Sequence, residues 1–148
     1  MFYPWGRGAL SDHAGPDVWQ AEFLGKLGAH VQSRRFDGSH PVAPIRMAVS
    51  KGHGVGGSAL AAWLVNWIMS TRRYAQGTVT ANTSTQLQTK TWAAVQRWTK
   101  LCMTSSWFAI NTERMYYIGA KESWFCTPQT CNDNNSEAFA GQHSEGSP

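Results

Sequence analysis

The chain has 148 residues, 42% of them hydrophobic, with eight tryptophans and a formal net charge of +4. That length and apolar content describe one domain able to bury a core. Three cysteines, an odd number, argue against a secreted disulfide framework and fit a reducing compartment. The first ten residues carry Pro4, Gly6, Arg7 and Gly8 instead of the apolar core of a signal peptide. The longest apolar run, Ala59 to Met69, is interrupted by Asn66 and is too short to span a bilayer.

In chain order, residues 1–15 are rich in glycine and aromatics and read as an extended lead-in. Residues 16–30 predict a first helix: Pro16 suits a first turn, and Val18, Trp19, Phe23, Leu24 and Leu27 fall roughly on one face. Residues 33–44 carry Gly, Ser, Asp and Pro and read as a loop. The short apolar run Ile45 to Val49 predicts a buried strand ending at a glycine-rich loop. Residues 58–74 predict a helix apolar nearly all round, as expected of one buried between layers.

A second strand is expected over 77–81 and a second long helix over 84–102. Asn82, Thr83 and Ser84 offer capping side chains at its start, and Trp92, Val95, Trp98 and Leu101 form an apolar stripe. Residues 107–125 suggest short strands joined by turns, and from Thr127 the sequence is polar and predicts poor order toward its end. Strand, glycine loop, helix, strand, helix is the opening of an α/β sheet with parallel strands flanked by helices.

The glycine loop is the chemical feature. A phosphate-binding loop reads G-x-x-x-x-G-K-[ST]: backbone N–H groups wrap the phosphates, a lysine reaches the terminal ones, and a hydroxyl holds magnesium. Residues 51–58 place Gly56 and Ser58 at the second glycine and the hydroxyl, but Gly57 stands where lysine is expected. Lys51 stands at the front, in the place of the first glycine. Its long side chain could reach back across the loop and supply the cation from the other end. Gly52, Gly54, Gly56 and Gly57 free the backbone to approach a ligand, and the following helix adds unpaired N–H groups and a positive dipole end. A glycine-rich turn without a ligand is the competing reading. Gly52-x-Gly54-x-x-Gly57 also spells a dinucleotide fingerprint, but that fold needs an acidic residue about 20 positions on. Neither Asp nor Glu occurs between Gly38 and Thr112, which removes that reading.

Charge distribution adds to this. Between Gly38 and Thr112 the charged residues are Arg46, Lys51, Arg72, Arg73, Lys90, Arg97 and Lys100, all positive. Such a segment suits a polyphosphate or nucleic acid as well as a merely soluble basic face. Cys126 and Cys131 form a C-x4-C pair with His143 as the one nearby further ligand, short of the four a structural zinc needs.

Four patterns in order resemble the N-terminal part of the ATPase domain of phage terminase large subunits, the motors that package DNA. They are Gly15-Pro16-x-x-Trp19-Gln20, the loop from Ser50 to Ser58, the stretch from Thr80 to Trp92, and Glu137-Ala138-Phe139-Ala140-Gly141-x-His143. The resemblance covers most of the chain and implies a helicase-like P-loop NTPase sheet over 16–131, incomplete at its C-terminal side, with a polar tail over 132–148. It implies ATP and Mg²⁺ as cofactors. Trp19 and Gln20 would match an adenine-contacting glutamine motif, an amide being able to donate and accept; a core tryptophan and a surface amide are the alternative. Lys51 would contact phosphate with Gly52, Gly54, Gly56 and Gly57, and Ser58 would ligate magnesium. Thr80, Gln86 and Lys90 would match a motif that touches DNA or relays nucleotide state, Gln86 and Lys90 lying four apart on one helical face; a capped surface helix is the alternative.

The implied partners are double-stranded DNA, the terminase small subunit and the capsid portal, in the cytoplasm of a bacterial host, with no membrane. A motor of this kind also needs an apolar strand ending in Asp-Glu to hold magnesium and orient water. The acids after the loop are Glu113, Glu122, Asp133, Glu137 and Glu145, and none follows a long apolar run. Nucleotide binding is therefore expected and hydrolysis by this chain alone is not. The alternatives are a non-enzymatic nucleic-acid-binding protein, a non-functional prophage remnant, or an ATPase completed in trans by another chain.

Overall fold

The computed structural model describes residues 2–37 and 39–130. Helix α1 (Val18–Arg34) starts after Asp17, whose extended backbone makes it the N-cap, and ends at Arg35 in the left-handed region, φ 49°. The expected start at Pro16 is two residues early. The Asp17 N–H is taken up by Gln20 Oε1 at 2.8 Å, and this reciprocal cap sets the boundary.

Residues 35–37 and 39–56 have no regular secondary structure, and here the sequence expectation fails. Ile45 to Val49 form no strand, and Val49 is 46% exposed. A short apolar run becomes a strand only where another strand takes up its N–H and C=O groups. No described strand pairs with it. Ile45 and Met47 instead help to line an apolar groove of about 270 Å³ with Phe23, Leu64 and Trp67 of the neighbouring helices.

Helix α2 (Gly57–Thr71) leads through a short turn into β1 (Gln76–Ala81), followed by α3 (Ser84–Gln86), a π-helical turn (Leu87–Trp92) and α4 (Ala93–Leu101). The expected long second helix is thus present with a wide turn in its middle. Thr83 caps its start, its Oγ1 accepting from the Gln86 N–H at 3.1 Å. Strands β2 (Phe108–Ile110), β3 (Met115–Tyr117) and β4 (Phe125–Thr130) complete a four-stranded sheet in the order β1-β4-β3-β2. The fold is therefore α/β, but the sheet is mixed. Only β1 and β4 run parallel, from Gln76 opposite Phe125 to Ala81 opposite Thr130, while β4–β3 and β3–β2 are antiparallel. The β3 ladder stops at Cys126, so Pro128 lies where β4 keeps one described neighbour and a missing N–H is tolerated.

The core lies between α2 and α4. Trp63 and Trp98 meet edge to face with centroids 5.1 Å apart, and the lead-in segment adds Tyr3 at 5.1 Å from Trp98 and Trp5 at 5.6 Å from Trp63. Edge-to-face packing aims the positive rim of one ring at the negative face of the next. The lead-in thus gives Tyr3 and Leu10 to the core, with Phe2 and Trp5 packed against it. One buried polar chain runs through it: Asn66 Nδ2 donates to Tyr3 Oη at 3.1 Å, and Thr99 Oγ1 lies 2.9 Å from Asn66 Oδ1. Burial raises the Tyr3 phenol well above its ordinary value, against a lowering by its bond with Asn66. Trp92, fully buried, donates from Nε1 to the Asn111 carbonyl at 2.7 Å and ties the helix to the β2–β3 hairpin. Among the described residues no helix is long and apolar enough to cross a membrane.

Candidate functional site

The glycine loop closes on the first turn of α2. Gly54 and Gly56 have φ of +76° and +82°, a conformation that L side chains rarely adopt. Gly56 is also the N-cap of α2 and supplies no side-chain cap. The N–H groups of Gly57, Ser58 and Ala59 therefore have no helical acceptor and define the positive end of a fifteen-residue helix.

Two side chains of α1 hold the loop from below. Trp19 Nε1 donates to the Val55 carbonyl at 3.1 Å, and Gln20 Nε2 donates to the Gly56 carbonyl at 3.0 Å. Gly56 O also accepts the first helical bond, from the Leu60 N–H at 3.1 Å. A Cβ on Gly56 would stand 2.6 Å from Gln20 Nε2, so close approach and positive φ both require glycine there. The motif around Trp19 and Gln20, 36 residues before the loop in sequence, is thus brought into direct contact with it.

Lys51 answers the question raised by its displaced position. Its side chain folds back across the loop and lies against Gly57: a Cβ built on Gly57 would collide with Lys51 Cε and Nζ and come within 2.8 Å of Cδ. The end of the Lys51 side chain therefore fills the space in which a side chain at position 57 would begin. Gly57, the apparent defect of the pattern, is what makes room for it. Among the described residues Lys51 forms no ion pair with a carboxylate. Ser58 is half-buried in the first turn of α2, next in sequence to Gly57.

Thr80, Gln86 and Lys90 are exposed, at the C-terminal end of β1 and on the helical stretch that follows. Gln86 and Lys90 lie four residues apart across the point where the π turn begins at Leu87, and both are exposed.

Beside the loop, a cleft of about 620 Å³ opens between the lead-in, α1, α2 and α4. Gln20 and Ala59 form its loop side, Trp63 and Trp98 its apolar wall, and Arg97 and Lys100 its cationic rim. The indole N–H groups of Trp63 and Trp98 are buried without a hydrogen-bond partner among the described residues. The contribution of Arg97 and Lys100 to this cleft was hidden in the sequence, where they stood only as two of the seven cations between Gly38 and Thr112.

Among the described residues no cluster of three His, Cys, Asp or Glu side chains could hold a metal ion. Cys126 lies buried in β4, where burial pushes its thiol up to about 12; Cys131 and His143 lie outside the described residues, as does the pattern from Glu137 to His143. Comparison with known proteins finds no family model, no curated protein and no solved structure that matches this chain.

Proposed function

We propose that the chain binds the polyphosphate of a nucleoside triphosphate, as the nucleotide-binding portion of a P-loop ATPase of the terminase large-subunit type. The observation that carries this reading is Lys51 folded onto Gly57 at the start of α2. It places a cation with no carboxylate partner among the described residues beside uncapped N–H groups, on a loop held by Trp19 and Gln20. Backbone donors and a helix N-terminus favour an anion, and a lysine adds the charge needed for the terminal phosphates.

The same site fits Mg²⁺ in a limited way. Ser58 would be its one protein ligand, with phosphate oxygens and water completing a shell that magnesium keeps largely hydrated. Turnover needs carboxylates as well. Among the described residues after the loop the acids are Glu113 and Glu122, both exposed in hairpin segments, and Glu122 sits 4.0 Å from Arg114. The function proposed is therefore binding, with hydrolysis dependent on carboxylates supplied elsewhere. DNA, a small subunit and a portal are the partners this reading implies.

The test is binding of a fluorescent ATP analogue with Mg²⁺ to wild type, Lys51→Ala and Ser58→Ala, after cooperative unfolding of each is confirmed. Loss in both folded variants is the expected outcome. No binding by folded wild type would sink the proposal.

One observation favours a second reading, a nucleotide-independent nucleic-acid surface. Arg46, Lys51, Arg72, Arg73, Lys90, Arg97 and Lys100 form no ion pair among the described residues. That reading predicts DNA binding that weakens steeply with salt and ignores both nucleotide and Lys51→Ala.

A further inference from the structure

We infer that Gln20 clamps the glycine loop instead of reading a base, so that the site accepts nucleoside triphosphates without selecting adenine. The inference rests on the nucleotide reading above and concerns what that site can recognise. An amide selects adenine by offering a donor and an acceptor together to one edge of the base. Both ends of the Gln20 amide are committed inside the fold. Oε1 accepts from the Asp17 N–H at 2.8 Å and Nε2 donates to the Gly56 carbonyl at 3.0 Å.

Those partners also fix the orientation of the amide. Flipped, it would oppose N–H to the Asp17 N–H and oxygen to the Gly56 carbonyl, losing both bonds at once. The side chain is 3% exposed, which leaves it little edge to offer a ligand. Turning it outward to meet a base would remove one of the two bonds that hold the loop to α1 and reopen the cap of that helix.

The rest of the cleft does not replace the missing reader. Besides Gln20 it contains no other amide side chain. Its polar side-chain groups are the exposed His13, Asp17, Arg97 and Lys100 and the indole N–H groups of Trp5, Trp63 and Trp98, which can donate but offer no acceptor beside the donor. Its walls are apolar, from Trp5, Leu10, Trp63 and Leu101 among others. Apolar and aromatic surface holds the flat face of any base about equally well. A cleft of about 620 Å³ has room for a purine as readily as for a pyrimidine.

The experiment measures affinities of the full chain, with Mg²⁺, for tripolyphosphate, ATP, GTP and CTP, in wild type and in Gln20→Met. Methionine is similar in length and uncharged, so it removes both amide bonds without repelling phosphate. The expected result in wild type is ATP, GTP and CTP within about threefold of one another, the spread that non-selective stacking allows. In Gln20→Met all four ligands, tripolyphosphate included, should weaken together by about tenfold, the scale of one or two lost hydrogen bonds.

ATP tighter than GTP and CTP by tenfold or more in wild type would overturn the inference while leaving the nucleotide reading intact. So would a Gln20→Met variant that weakens ATP alone, or one that binds all four as wild type does. Binding of none of the four by folded wild type would remove the nucleotide reading and this inference together. Should Gln20→Met fail to fold, the wild-type comparison decides the question of selection by itself.

Discussion

The glycine loop and the tryptophan core lie at the two ends of what α2 does, and they are held in opposite ways. At its N-terminus α2 meets a loop with Lys51, Gly52, His53, Gly54 and Val55 all exposed, kept in shape by two side-chain bonds to backbone carbonyls. Along its length it buries Leu60, Ala62, Trp63, Asn66 and Met69 against α4, the sheet and the lead-in. The core is redundant, since many contacts share the load. The loop is specific, since a few donors and one lysine define it. Substitutions in the core should therefore change stability with shape, and those in the loop should change ligand affinity with little effect on unfolding.

The largest effect is expected in the core. Trp92→Ala removes a fully buried indole and its bond to Asn111, and should lower unfolding free energy by about 3–5 kcal/mol, read from a urea titration. A wild-type midpoint in that variant would show that the helix and hairpin are not packed as described. Next comes Lys51→Ala, with an expected loss of nucleotide affinity on the order of 1.4–3 kcal/mol, tenfold or more, and an unchanged urea midpoint. An equal fall in stability would erase the distinction between the two regions.

Gly56→Ala sits between the regions and should touch both. Its positive φ and its approach to Gln20 predict a stability loss of about 1–2 kcal/mol together with weaker nucleotide binding. The smallest effect expected is from pH. Burial raises the Cys126 thiol from its ordinary value near 9 to about 12, so the folded state holds that proton after the unfolded chain has released it. Stability from this group is complete below about pH 9 and is lost progressively between about 9 and 12. Cys126→Ala should flatten the thermal midpoint across the start of that range, while Tyr3, also raised by burial, keeps the upper part sloping. A Cys126→Ala slope identical to wild type would remove the thiol from the account.

Much of the fold was readable from local pattern. Strand β1 was expected over 77–81 and runs from Gln76 to Ala81; α2 followed from a stretch apolar nearly all round and α4 from its apolar stripe. What could not be read was set by neighbours. The run Ile45 to Val49 has strand-like composition but no described strand beside it, and two of its side chains turn to a groove between helices. The π turn over Leu87–Trp92 leaves no mark in residue periodicity, since Trp92 and Val95 still fall on the buried side. The antiparallel half of the sheet depends on pairing across the hairpins, which residue spacing suggested without fixing which strand would lie beside β1. At the loop the sequence displayed the glycines and the misplaced lysine. The direction in which Lys51 folds, and the commitment of both ends of the Gln20 amide, are consequences of three-dimensional packing.

The Gly56 carbonyl serves two donors, the Leu60 N–H within α2 and the Gln20 amide of α1. That single oxygen makes the Leu60 amide proton a natural gauge of the loop. Any opening that pulls the carbonyl away exposes this proton to solvent exchange, even while the rest of α2 stays folded. Slower deuterium uptake at Leu60 on ligand addition would track the loop residue by residue, in a molecule whose eight tryptophans crowd an optical signal.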